Sequence, residues 1–210
     1  MENQGSPPFD GAQERLPSYA TYDSWRSWGA YQTLFNGKDF TGWKVPKNNT
    51  WWKVVDGTIV AQSGPKKKGS TLWTEESFTD FIVEAEFKFD GKGDSGIFLR
   101  NDKQQIQIGI SGSLKRDMTC SPYIPGKGYP VEAEEKKGTK GVKGLLKINE
   151  WNKMQVRVIG PKYEVKLNGV PVMTYTSENA IEEGPIGLQL HAGRDMRIDF
   201  RNLMLRKLKH

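Results

Sequence analysis

Ile106, Ile108 and Ile110 alternate strictly with Gln105, Gln107 and Gly109. Successive side chains of a strand point to opposite faces, so a period of two puts all three isoleucines on one side. The other side carries two amides and then no side chain at all. Just upstream, Gly93-Asp94-Ser95-Gly96 reads as a turn leading into Ile97-Phe98-Leu99-Arg100. There Ile97 and Leu99 share one face, and Phe98 and Arg100 share the other. Asp94 is assigned to the turn, because Asp before Ser-Gly is common turn chemistry. The two runs predict neighbouring strands whose inner face is core and whose outer face is polar, partly bare and open to a ligand.

The same period recurs along the chain. Phe81, Val83, Ala85, Phe87 and Phe89 fall on one face of a predicted strand, with Ile82, Glu84, Glu86 and Lys88 on the other. Trp51 to Val55 and Thr58 to Ala61 flank Asp56-Gly57, a strong hairpin signal. Thr71 to Thr74 reads as a short strand. Further strands are expected over 153–159, 163–167, 170–175, 186–191 and 197–208, divided by Gly160-Pro161, Asn168-Gly169 and Gly184-Pro185. Short strands at regular spacing between turn signals indicate an antiparallel sandwich. Ser111 to Leu146 is a long irregular segment, a length usual for functional loops.

The 210 residues suit one large β domain. Residues 1–31 form an N-terminal arm. Its first part is rich in Gly, Pro, Gln and Ser, and its second carries Tyr19, Tyr22, Trp25, Trp28 and Tyr31 at a loosely helical spacing of three. Residues 32–210 form the sandwich domain. The formal charge of +6 comes with lysines clustered at Lys66-Lys67-Lys68 and between Lys136 and Lys147. These runs read as solvated loops, and no arginine-aromatic module accompanies them, so nucleic acid is not the expected partner. Cys120 is the sole cysteine and excludes an intrachain disulfide. No apolar run is long enough to span a bilayer. The first residues lack the apolar region of a signal peptide. Nothing in the pattern sets an oligomeric state.

Several motifs in order carry a family resemblance. They are Leu34-Phe35-Asn36-Gly37-Lys38-Asp39 with Gly42-Trp43, Trp52 to Ile59, Ser95 to Arg100, Glu150-Trp151-Asn152, Leu167-Asn168-Gly169, Gly184 to His191 and Phe200-Arg201-Asn202. From about Leu34 to Leu208 the chain resembles the 3-keto-disaccharide hydrolase family. The resemblance implies a concanavalin A-like jelly roll, an all-β sandwich of two antiparallel sheets with the ligand on the concave one. It also implies action on oxidised glycosides, in proteins exported to the periplasm or beyond. An export leader would then lie outside this sequence. One departure stands out: the family often has a Tyr-Glu pair where this chain has Gln104 and Gln105, so a carboxylate is missing at Gln105.

A ketone at sugar C3 acidifies the hydrogen at C2. A base can remove it, and the enolate then expels the group at C1. His191 is the candidate base, on the face it shares with Gln189 and opposite Ile186, Leu188 and Leu190; an inert histidine at the sheet rim is the competing reading. Arg100 is the candidate stabiliser of the enolate oxygen, against a cross-strand ion pair with Glu84 or Glu86. Asp117 is the alternative base. Gln105, Gln107, Gln189 and Glu132 are expected to bind the sugar, and Trp73 and Tyr123 to stack on its ring. No ligand spacing for zinc exists. Asp90-Gly91-Lys92-Gly93-Asp94 offers calcium carboxylates and carbonyls but falls short of an established loop. The expected activity is cleavage of 3-keto-glycosides or disaccharides, by proton abstraction with elimination and hydration or by hydrolysis. The alternative is a non-catalytic carbohydrate-binding module, and a third reading, a docking domain, rests on the aromatic arm.

Overall fold

A computed structural model describes residues 29–135, 139–140 and 142–208. The strands begin with β1 (Gln32–Thr33), β2 (Trp43–Lys44), β3 (Trp52–Val55), β4 (Thr58–Gln62) and β5 (Ser70–Phe78). Next come β6 (Phe81–Phe89), β7 (Asp94–Leu99), β8 (Gln105–Gly109), β9 (Pro122–Tyr123), β10 (Glu134–Glu135) and β11 (Thr139–Lys140). The chain closes with β12 (Asn152–Ile159), β13 (Lys162–Leu167), β14 (Val170–Thr176), β15 (Gly184–Leu190) and β16 (Arg197–Lys207). One sheet runs β14-β13-β12-β6-β16-β4-β3, with β1 added on β16; the other runs β2-β5-β15-β7-β8-β9. The pairings within both are antiparallel. This is the expected all-β jelly roll.

The alternation read from the sequence decides what each sheet buries. Phe81, Val83, Ala85, Phe87 and Phe89 of β6 face Ile97 and Leu99 of β7, Ile106 and Ile108 of β8, and Ile186, Leu188 and Leu190 of β15 in one core. Each large side chain removed from water there contributes about 1.5–3 kcal/mol. On the outer face of β6, Glu84 pairs with Lys153 and accepts from Gln155 at 2.5 Å. Glu86 accepts from Arg201 at 2.7 Å. Ile82, on that same face, is nonetheless buried, between its register partners Arg157 and Arg206. Tyr31 lies against this side of the sheet, its ring 4.1 Å from the Arg206 guanidinium. Burial, with Glu84 beside it, raises the Tyr31 phenol well above its ordinary pKa. The remaining aromatic positions of the arm, Tyr19 to Trp28, lie outside the described residues.

Three sequence expectations are corrected by the fold. The strand expected over 71–74 is nine residues long, Ser70–Phe78, because β15 and β2 both pair with it. Asp94 is the first residue of β7, not a turn residue. Arg100 does not join the polar face of β7. Its φ of +67° turns the chain after Leu99, and the side chain is buried at one end of the sandwich. Its Nε and Nη2 both donate to the Thr79 carbonyl, Nη1 donates to Gly160 O at 2.7 Å and Ile181 O at 2.8 Å, and Nη2 also donates to Asp80 Oδ1 at 3.0 Å. The guanidinium therefore ties the β5–β6 turn, the β12–β13 turn and the approach to β15 together. The expected pairing with Glu84 or Glu86 does not occur, because Asp80 takes that place.

Backbone approach also constrains the site strand. At Gly109 φ is +91°, and a Cβ there would lie 2.2 Å from the Gly93 carbonyl oxygen. Gly109→Ala is therefore expected to lower stability by about 1–3 kcal/mol or more through overpacking and left-handed strain. Denaturant unfolding with an unchanged m-value would report it.

Candidate functional site

The second sheet presents its polar side to a cavity of about 470 Å³, lined by Asp94, Gln105, Gln107, Ser111, Gly112, Ser113, Tyr123, Tyr129, Gln189 and His191. Register explains why these residues meet. Gly96 is opposite Gln107 on β8 and opposite Gln189 on β15. Lacking a side chain, Gly96 leaves room for Gln105 to fold across it; a Cβ at Gly96 would lie 2.3 Å from Gln105 Nε2. Gln105 Nε2 consequently reaches Gln107 Oε1 at 2.9 Å, Gln189 Oε1 at 3.0 Å and the Ser95 carbonyl at 3.2 Å. Gln107 Nε2 donates to Asp94 Oδ1 at 2.8 Å. Arg194 sits at the other carboxylate oxygen, Nε 3.6 Å from Asp94 Oδ2.

His191 follows the last residue of β15, and its amide donates to the Asp94 carbonyl at 3.2 Å. Its ring is exposed, with Nδ1 2.7 Å from the Ala192 carbonyl oxygen. A carbonyl only accepts, so Nδ1 carries the proton in the neutral ring and Nε2 keeps a free lone pair. Tyr129 closes the opposite side beside Tyr123, with ring centroids 5.2 Å apart. Burial pushes the Tyr129 phenol up to about 12, the Asp94 charge adding to the effect and Ser111 working against it. The Tyr129 hydroxyl is thus a proton-bearing donor at neutral pH.

The expected site residues divide into two groups. Gln105, Gln107, Gln189, Tyr123 and His191 come together around the cavity. Arg100, Asp117, Glu132 and Trp73 do not line it. Asp117 accepts from Thr119 N at 3.0 Å and Thr119 Oγ1 at 3.1 Å, and that hydroxyl receives Gly109 N at 2.8 Å. Burial raises the Asp117 pKa, against those hydrogen bonds, but the carboxylate serves the end of β8. Glu132 makes a two-pronged pair with Arg116. Trp73 stacks on Phe98 at 5.4 Å and lies flat against Gly187, so its ring fills the sheet surface. Asp90 accepts from Lys92 N at 2.9 Å, apart from Asp94. Among the described residues no group of three or more His, Cys, Asp or Glu is placed to hold a metal ion.

Sequence reasoning missed Asp94, Tyr129, Ser111 and Arg194. For Asp94 a signal existed: it stands two residues before Gly96, on the parity that faces the amides. The others arrive from loops, whose course no periodicity reveals.

The second sheet of this jelly roll thus carries amides, a carboxylate, an imidazole and two tyrosines around one cavity. The chain belongs to the 3-keto-alpha-glucoside-1,2-lyase-like domain family, which matches residues 30–206. Its fold is similar to a candidate glycosyl hydrolase from Parabacteroides distasonis ATCC 8503, at 21% identity over 86% of this chain and 95% of that one, with a TM-score of 0.63. A second such protein from the same organism matches at 24% identity, covering 85% of this chain and 84% of that one, with a TM-score of 0.62. The carbohydrate-binding module CBM66 from Bacillus subtilis matches at 16% identity, covering 79% of this chain and 96% of that one, with a TM-score of 0.56. No curated protein matches by sequence.

Proposed function

We propose that the protein cleaves glycosides already oxidised to a ketone at C3, with His191 as the base. The observation that carries this reading is the contact of His191 Nδ1, 2.7 Å from the Ala192 carbonyl oxygen, which leaves Nε2 to serve as the base at the cavity. In the reaction Nε2 takes the C2 proton. The C2–H electron pair forms an enolate delocalised onto the C3 oxygen, stabilised by donors such as the Tyr129 hydroxyl and the Gln189 amide. Collapse of the enolate forms the C1–C2 double bond and breaks the C1–O bond. The departing oxygen takes the proton from His191 Nε2, which restores the base, and water can then add across the double bond. Two carboxylates flanking the scissile bond, as in ordinary glycosidases, are not needed.

A second reading has its own observation. Gln105 holds an amide where the family resemblance implies a carboxylate, and its Nε2 is engaged with Gln107, Gln189 and Ser95. A binding module would use the same cavity without chemistry. Incubating the protein with an aryl 3-keto-α-glucoside and following release of the aryl alcohol separates the two. Release with the ketone substrate, and none with the parent glucoside, is the expected result. Binding without release would make the protein a module; absence of both would reject the carbohydrate assignment.

A further inference from the structure

We propose that Asp94 is a positioning residue that fixes the hydrogen-bonding direction of Gln107 and, together with the Ser95 carbonyl, that of Gln105 and Gln189, so that the floor offers a sugar a donor at Gln189 and an acceptor at Gln105. Asp94 and the Ser95 carbonyl each meet the ladder with a group that cannot reverse. An ionised carboxylate only accepts, whereas a carboxamide can face either way. Asp94 is buried, and its Oδ1 lies 2.8 Å from Gln107. Gln107 must therefore present Nε2 to it, because an amide oxygen at that distance would set two acceptors against each other. Gln107 Oε1 is then the atom 2.9 Å from Gln105, so Gln105 must present Nε2. The Ser95 carbonyl, which also only accepts, selects the same orientation at 3.2 Å. Gln105 Nε2 in turn selects the oxygen of Gln189 at 3.0 Å. Two ends are left over: Gln105 Oε1 and Gln189 Nε2 make no hydrogen bond among the described residues, and both side chains line the cavity.

The pattern selects ligand chemistry. A ketone oxygen accepts and cannot donate, so it suits Gln189 Nε2. A neighbouring hydroxyl can donate to Gln105 Oε1. A 3-keto sugar with an adjacent hydroxyl offers that pair, and Gln189 is the residue through which ketone and ladder meet. Arg194 Nε lies 3.6 Å from the other carboxylate oxygen, Asp94 Oδ2, so Oδ1 is the oxygen left to Gln107.

The ligand part of this inference rests on the carbohydrate reading above; the orientation part does not. In the whole 210-residue chain labelled with nitrogen-15, the carboxamide protons of Gln105 and Gln107 are expected to exchange with water at least about tenfold more slowly than those of Gln189. Asp94→Asn, which can face either way, should remove that difference for Gln107 while Gln105, still held by the Ser95 carbonyl, stays slow and the backbone spectrum stays native. Gln189→Glu keeps an oxygen toward Gln105 and turns the outward amide into an acceptor. It should weaken calorimetric binding of the aryl 3-keto-α-glucoside about tenfold, the size of one unmade hydrogen bond. Protected Gln189 protons beside fast-exchanging Gln105 protons in the wild type would overturn the assigned direction. Unchanged Gln107 exchange in Asp94→Asn would overturn the role of Asp94. If that variant does not fold, the wild-type exchange pattern decides the direction and Gln189→Glu decides the outward donor. Equal binding by Gln189→Glu would overturn the ligand pattern. A wild type that ignores the keto sugar would defeat the carbohydrate reading, with the exchange pattern still deciding the ladder.

Discussion

Arg100→Met is expected to destabilise the protein by about 3–5 kcal/mol, the cost of breaking a buried ion pair by removing one partner. Five guanidinium N–H groups are spent on three backbone carbonyls and Asp80 at a side chain only 1% exposed. Methionine fills much of the volume but returns none of the donors, so the Thr79, Gly160 and Ile181 carbonyls lose their partner together. Burial also holds the Arg100 pKa below the ordinary arginine value, against the charge of Asp80. At this domain size the loss corresponds to a Tm lower by about 10 °C. Scanning calorimetry on wild type and variant checks it. A change within about 0.5 kcal/mol, the range of an ordinary surface substitution, would mean that the guanidinium does not hold the two sheets together. Arg100→Lys should recover part of the loss, since an ammonium has three donors instead of a planar fork of five.

The second large effect is at the site. His191→Ala is expected to lower kcat for aryl alcohol release from a 3-keto-glucoside by about 10²–10⁴-fold, the usual contribution of a positioned general base. Stability should stay within about 0.5 kcal/mol, because the ring is exposed and its one hydrogen bond is to the adjacent carbonyl. His191→Gln preserves a donor without a comparable base and should be nearly as slow. Single-turnover kinetics separate this from weakened binding. Release that survives both substitutions would move the base elsewhere, with Asp94 the nearest carboxylate of the cavity.

Much of the architecture was legible because period two is a local property. Phe81 to Phe89 sorted into core and outer faces as read, and Asp56-Gly57 turns with both residues at positive φ, +46° and +72°. The shared face of Gln105, Gln107 and Gln189 also followed from parity. Arg100 misled for a definable reason. Parity placed it beside Phe98, but the strand ends at Leu99 and the next φ is left-handed, so face counting no longer applied. Asp117 misled differently: a loop carboxylate near an active surface has the chemistry of a base, yet the amide and hydroxyl of Thr119 had already engaged it. Asp94 was read by its local turn context, while its role comes from strands β8 and β15 on either side.

By itself, then, the amino-acid order determined the sandwich, the sealed isoleucine and phenylalanine interior, and which side of the key strands would be polar. Alternation and turn chemistry act between residues a few positions apart, and they leave a visible pattern. Only the tertiary structure decided that Asp94 sits at the head of the glutamine ladder, that Tyr129 closes the cavity, and that Arg100 fastens one end of the sandwich. Those assignments depend on which strands become neighbours and where a loop returns, and contacts across such separations leave no period in the chain.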